Sequence, residues 1–183
     1  PKDPTFKAKY GPRGVLKCVA QPNDTPGEDP RFGKWGKQKC EDTGPLTTKR
    51  METVDEEFLA ATMDFIDRSA RDRKPFFVWT NSTRMHIFTH LSPKYKALEG
   101  QDNYGLQEAG MTQFDDIIGS VMAKLKEMGL DENTIVMVTT DNGTETFTWP
   151  DGGNTPFKGQ KGTIYEGGFR APCIARSQYV TRR

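Results

Sequence analysis

Two stretches of the chain carry apolar residues at three- and four-residue spacing. In the first, from Thr53 to Arg71, Val54, Phe58, Ala61, Phe65 and Ile66 share one face, and Asp55, Glu56 and Glu57 occupy the first turn, where acids suit the helix dipole. This predicts an amphipathic helix ended by Pro75. In the second, from about Gln107 to Met128, the residues Met111, Phe114, Ile118, Val121, Met122 and Leu125 recur with the same period. The methionines at 111, 122 and 128 read as packing residues, and Gly129 as the stop. Two shorter runs, Phe76-Phe77-Val78-Trp79-Thr80 and Ile135-Val136-Met137-Val138-Thr139-Thr140, are apolar without alternation, as expected of parallel strands covered on both faces. The second of them is expected in the centre of a sheet. Ala171 to Ala175, around Pro172, predicts a further strand. The order strand, helix, strand with a long crossover predicts a right-handed unit and a parallel pair. The expected fold class is therefore α/β, a largely parallel sheet flanked by helices. Residues 1–50 hold seven of the twelve prolines, mix their charges and show little periodicity, so they predict mostly loop, leaving 51–183 as the α/β part.

Chemistry is expected beyond the carboxyl ends of the strands, where open α/β sheets bind their ligands. Asp141-Asn142-Gly143 occupies that position after the second run. An aspartate and an adjacent amide offer hard oxygen donors, which suit Ca²⁺ or Mg²⁺. The same tripeptide is also a common strand-ending turn, and calcium takes roughly six to eight oxygens, so two donors do not make a site by themselves. Further on, Gly159-Gln160-Lys161-Gly162-Thr163 and Tyr165-Glu166-Gly167-Gly168-Phe169-Arg170 set a cation among glycines, where backbone can approach an anion closely. Asn81 to His90 forms the loop after the first run, and so puts His86 on the same rim as Asp141. Glu166 and Arg170 read as a structural ion pair. Trp149-Pro150-Asp151-Gly152-Gly153 reads equally well as the lining of a substrate mouth or as an Ω-like surface loop.

Taken in order, PFFVW followed by TNSTRMHIFTHL, then DNG, then GQKGTIYEGGFRAP resemble the sulfatases, arylsulfatase-like members of the alkaline phosphatase superfamily. The agreement is strongest from about Lys74 to Arg176 and weaker from Thr43 onward. The resemblance implies an alkaline-phosphatase-like catalytic domain and hydrolysis of a sulfate monoester, from a small molecule or a glycan. It implies Asp141 and Asn142 as calcium ligands and Lys161 as a contact to the sulfate. It also implies that His86 bonds to the sulfate and aids departure of the leaving oxygen. Arg84 and His90 are candidates for substrate contact.

In the family the nucleophile is a hydrated formylglycine made from a Cys/Ser-x-Pro-Ser/Ala-x-Arg segment. Cys18 is followed by Val19-Ala20-Gln21, Cys40 by Glu41-Asp42-Thr43 and Cys173 by Ile174-Ala175-Arg176, so none of the three fits. The family's Asp-Asp pair and Lys-Trp-His segment are not found either, and Gly33-Lys34-Trp35-Gly36 lacks the histidine and reads as loop. The expectation is that 1–183 is an incomplete, amino-terminally truncated part of a catalytic domain, inactive alone. Two other readings stay open: a phosphate or phosphonate monoester hydrolase of the same superfamily, and a non-catalytic module that binds sulfated glycans or a partner.

With 26 basic and 25 acidic residues, charge offers no reason to invoke nucleic acid or an anionic membrane surface. No apolar run approaches the ~20 residues of a membrane span. The opening PKDPTFKAKYGPRG shows neither an initiator methionine nor a basic-then-apolar signal, while the resemblance favours the periplasm or export. Cysteines at 18, 40 and 173 form no metal spacing and no even disulfide set, which leaves the redox compartment open, as it does the oligomeric state.

Overall fold

The computed structural model describes residue 5 and residues 14–29, 33–101, 104–146 and 153–177. They fall in two compact units, Pro1–Met51 and Glu52–Arg183.

The first unit is a β-ribbon where mostly loop was expected. β1 (Gly14–Ala20) runs antiparallel to β4 (Gln38–Pro45), and β2 (Glu28–Asp29) to β3 (Gly33–Lys34) within the excursion between them. The ribbon escaped the sequence pattern because neither face is apolar: Lys17 lies opposite Glu41 and Val19 opposite Lys39, so there is no alternation to detect. A two-stranded ribbon without a buried face is marginal in water, and covalent and side-chain links supply what packing does not. Cys18 faces Cys40 in this register and is joined to it as a disulfide, a pairing that the three scattered cysteines left open, and Cys173 stays free. Arg50, in the one-turn helix Thr48–Met51, donates to Gly44 O at 2.9 Å, Thr43 O at 3.1 Å and Thr43 Oγ1 at 2.8 Å, pinning the end of β4.

Both expected long helices form in the second unit, as Val54–Arg71 and Leu106–Glu127. Each ends in a left-handed residue with the paired carbonyl bonds of a Schellman motif. At the first, Arg73 (φ 55°) donates to Ala70 O and Lys74 to Ser69 O; at the second, Gly129 (φ 67°) donates to Lys126 O and Leu130 to Leu125 O. The first helix therefore stops at its own cap, ahead of Pro75.

The faces these helices bury differ from the purely apolar stripes expected. In the first, Val54, Asp55, Thr62, Ile66 and Ser69 are buried while Ala61 and Phe65 are exposed; in the second, Gln107, Ala109, Gly110, Gln113, Ile117 and Leu125 are buried while Met111 is exposed. A polar seam accounts for the shift. Gln113 donates to Glu56 Oε1 at 2.7 Å, and Lys124 pairs with Asp67 at 2.8 Å. The apolar core lies to one side of that seam, where Leu91, Tyr95 and Ala109 cluster with Leu98 and Leu106. The short Pro93–Lys96 helix is tied there by Lys94 and the Tyr95 hydroxyl, both on Asp116 Oδ2 at 2.7 and 2.8 Å. Their hydrogen bonds hold the Asp116 carboxyl below its usual range.

β5 (Val136–Thr139) forms as expected, and so does β6 (Cys173–Arg176), but they pair with each other and antiparallel, Val136 opposite Arg176 and Thr139 opposite Cys173. The expected parallel pair is not formed among the described residues, since Phe76 to Thr80 joins no ladder. That run carries no regular secondary structure and is tied to the first long helix through a 2.9 Å hydrogen bond between Thr80 and Thr62 hydroxyls. Its side chains alternate: Phe76 and Val78 are half-buried, whereas Phe77 is 80% and Trp79 78% exposed. Ile135 and Met137 are likewise exposed. An unbroken apolar run signals cover on both faces, and here one face alone is covered.

The loop after β5 and the segment leading to β6 meet backbone to backbone. Gly143 donates to Gly168 O at 2.9 Å and Lys161 to Thr144 O at 2.8 Å, while within the second segment Gly167 donates to Lys158 O at 2.8 Å. A Cβ on Gly143 would stand 2.0 Å from Gly167 O, so only glycine permits this approach.

Two measurements check these contacts. Replacing both Cys18 and Cys40 by serine is expected to destabilise the ribbon by about 3 kcal/mol in urea unfolding, from the loop that the bond closes. Gly143→Ala is expected to cost about 2 kcal/mol or more, because a backbone oxygen cannot swing aside as a side chain can; an unchanged midpoint would mean that the turn is not docked there.

Candidate functional site

Asp141 and Asn142 stand at the carboxyl end of β5, where the strand hands over to the glycine-packed turn. Thr140 Oγ1 donates to Asn142 O at 2.8 Å, and Asn142 Nδ2 donates to Gly143 O at 2.8 Å. The second bond fixes the amide so that its side-chain oxygen is left to accept from elsewhere. Asp141 is exposed, and among the described residues its carboxylate takes part in no hydrogen bond or ion pair. Both donors are hard oxygens, so they fit calcium in kind. They do not fit it in number: no group of three or more His, Cys, Asp and Glu side chains converges among the described residues.

Lys161 is brought to this turn by the Thr144 carbonyl that accepts its backbone N–H. Its ammonium pairs with Glu145 at 3.0 Å, with the lysine side chain one-third and the glutamate 15% exposed. The turn therefore sets one carboxylate free at Asp141 and another, Glu145, against the cation. Around it, Glu166 and Arg170 form the expected ion pair, the Arg170 guanidinium lies 4.2 Å over the Phe157 ring, and Lys158 lies 4.1 Å over Tyr165. These contacts stiffen the glycine-rich segment from outside, leaving Lys161 as the cation directed to the turn. Trp149 to Gly152 lie outside the described residues.

His86 occupies a separate loop with its own scaffold. It is exposed, its N–H donates weakly to Thr83 O at 3.4 Å, and its carbonyl accepts from Thr89 Oγ1 at 2.6 Å. Met85 before it has φ 69°, an uncommon state for a non-glycine residue. Among the described residues no hydrogen bond or ion pair links His86 to Asp141, Asn142 or Lys161, whereas the turn of Asp141 and Asn142 is coupled to the Lys161 segment through the backbone of Gly143, Thr144 and Gly168. His90 is half-buried on the same loop. Arg84 points inward: its side chain is fully enclosed, paired with Asp55 at 3.6 Å and bonded to Gln113 Oε1 at 2.6 Å and Glu52 O at 3.1 Å. A guanidinium so placed is part of the scaffold, and direct contact with a substrate does not follow from its position.

Sequence reasoning passed over Asp55, Gln113 and Glu145. Asp55 carried a signal, an acid beside Val54 seven and eleven residues ahead of Thr62 and Ile66 on the face that turns inward. Gln113 gave none, because one glutamine in an amphipathic helix is unexceptional. Glu145 could have been noticed only as the acid nearest the Asp-Asn-Gly turn.

The chain is similar to known proteins. The family model described as Sulfatase matches residues 17–183. N-acetylgalactosamine-6-sulfatase of Canis lupus familiaris is 30% identical over 134 residues, covering 72% of this chain and 25% of that protein. Arylsulfatase A of Homo sapiens is 30% identical over 119 residues, 64% of this chain and 23% of that one. The crystal structure of the PsFucS1 sulfatase from Pseudoalteromonas sp. superposes with a TM-score of 0.70 at 34% identity, covering 76% of this chain and 28% of its own. This chain spans about a quarter of the length of those relatives. A match over nearly all of its residues, together with the order of strand, Asp-Asn-Gly turn and glycine-flanked lysine, establishes that the chain belongs to the sulfatase family.

Proposed function

We propose that this chain supplies the metal-side and sulfate-side loops of an enzyme that hydrolyses sulfate monoesters. The observation that carries the reading is the backbone coupling of Asp141-Asn142 to Lys161 through Gly143, Thr144 and Gly168. Backbone coupling of a segment with hard oxygen donors to one with a lysine supports a site for a divalent cation and the tetrahedral anion it neutralises. Asp141 and the Asn142 side-chain oxygen would hold calcium, which when bound screens the sulfate's charge. Lys161 would exchange Glu145 for a sulfate oxygen, so that the ammonium is kept oriented while no substrate is present. His86 would hydrogen-bond the ester oxygen and stabilise it as an alcohol on departure. His90, on the same loop, would contact the remainder of the substrate, a small-molecule or glycan sulfate ester. Export to the periplasm or beyond fits the Cys18–Cys40 disulfide, a bond that persists in oxidising compartments.

The nucleophile is not among these residues. Cys18 and Cys40 are consumed by their disulfide, and Cys173 is followed by Ile174-Ala175-Arg176 without the proline of the formylglycine segment, so no cysteine here stands as a formylglycine precursor. We infer that the 183-residue polypeptide by itself neither turns over sulfate esters nor binds calcium tightly.

In the full-length protein, Asp141→Ala is expected to abolish hydrolysis of an aryl sulfate while shifting stability by no more than about 0.5 kcal/mol, as an exposed surface change does. Retained turnover removes Asp141 from the site, and faster turnover of the matching phosphate monoester moves the reading to phosphate chemistry. For the 183-residue chain, calorimetry is expected to show no calcium binding below about 1 µM, a Kd worth about 8 kcal/mol that two donors cannot supply. Binding of sulfated glycan without any hydrolysis by the full-length protein would favour a non-catalytic module instead.

A further inference from the structure

Asp55 is a charged residue buried on the inner face of a helix, and among the described residues every partner of its carboxylate lies on the loop that carries His86. Its Oδ1 accepts from the Thr83 N–H at 2.8 Å. Its Oδ2 accepts from Ser82 Oγ at 2.8 Å and Thr83 Oγ1 at 3.2 Å, and faces the Arg84 guanidinium at 3.6 Å. The side chains of Arg84 and Asp55 are 0% and 1% exposed. A carboxylate is costly to enclose, and four contacts to three consecutive residues are more than a helix needs to hold a neighbouring loop.

We propose that Asp55, acting through Ser82, Thr83 and Arg84, is a positioning residue for His86; the inference rests on the reading of His86 as the group that meets the ester oxygen. The geometry works as a two-sided clamp. Upstream of His86, Arg84 is held by Asp55, by Gln113 of the second long helix and by the Glu52 carbonyl. Downstream, the buried Thr89 hydroxyl grips the His86 carbonyl. Between the two anchors, Met85 is forced to φ 69°. A left-handed methionine persists only where its surroundings over-determine it, and such residues concentrate where a side chain must be aimed. Loop and helix also touch: Met85 Sδ, Thr89 Cγ2 and Leu91 Cδ2 stand 3.5, 3.5 and 3.7 Å from where a Cβ on Gly110 would be. The imidazole thus projects to solvent from a backbone fixed on both sides, and its direction is set by a carboxylate that never meets substrate.

Asn at position 55 would turn an NH₂ group toward two hydroxyls and a guanidinium, so the clamp should open while the apolar core stays. In the full-length protein, with an aryl sulfate as probe, Asp55→Asn is expected to lower kcat on the order of 10- to 100-fold, with KM changed by less than about twofold, because misplacing a reacting group by an ångström has that effect. The His86 ring signals in ¹H–¹⁵N spectra should shift and broaden. Far-UV circular dichroism monitors folding. Should the asparagine variant not fold, Arg84→Lys decides by the same readouts, since lysine keeps the charge but cannot span Asp55, Gln113 and Glu52 together. Folded variants with unchanged kcat and unchanged His86 signals would overturn the proposal. If the wild-type protein hydrolyses no sulfate ester, the proposed function fails, and the ring signals alone then decide whether Asp55 aims His86.

Discussion

The second unit depends on a charge taken out of water. Removing one partner from an enclosed ion pair typically costs about 3–5 kcal/mol, because the other is stranded, so Asp55 and Arg84 can be kept only together and only with their remaining valences filled. They are filled by groups from three places, the Ser82-Thr83 loop, the Glu52 carbonyl ahead of the first long helix and Gln113 of the second, whose amide is in turn held by Glu56 of the first. Hydrophobic burial is non-directional, whereas this network specifies which turn of one helix faces which residue of the loop. That is why both helices turn polar residues inward and leave Phe65 and Met111 at the surface.

A second constraint is steric. Asp141-Asn142 and Lys161 lie on separate turns of the chain, and the Lys161–Glu145 ion pair and the Thr146–Gln160 bonds alone do not bring their backbones into contact. What does so is the absence of side chains: Gly143 sits against Gly167, while Gly167 and Gly168 in turn crowd the carbonyls of Gly159 and Gln160. Backbone amides and carbonyls can then bond across the gap. Glu145 follows from the same geometry, since the turn that bonds Lys161 through Thr144 carries the next residue to its ammonium. Rigid backbone pairing sets the positions, and the ion pair only orients the charge.

The ribbon of the first unit stands on different physics. Its strands offer no apolar face, so pairing is held by the ladder, the Cys18–Cys40 bond and the Arg50 clamp on Thr43 and Gly44. Threonine, lysine and glutamate occupy positions that a packed strand would give to valine and isoleucine, and with them the period of two disappears.

Much of the second unit was legible from the chain alone, because long helices announce themselves by period and caps: Val54–Arg71 and Leu106–Glu127 lie within a residue or two of their expected limits, and Gly129 ends the latter as read. The ordered motifs around His86, Asp141 and Lys161 were legible too, as was the Glu166–Arg170 pair. Local residue choice is enough for such features. Strand partners were not legible, since pairing is non-local: β5 met β6 antiparallel where a parallel neighbour was expected, and Phe76 to Thr80 stayed outside any described ladder. Nor could the chain reveal that Arg84 turns inward, that Cys18 faces Cys40, or that Glu145 meets Lys161, because each contact joins residues brought together by folds of the backbone between them. Composition and period decided which segments become helix and where chemistry gathers; only three-dimensional closure decided which charge is buried, which is free, and which neighbour each one keeps.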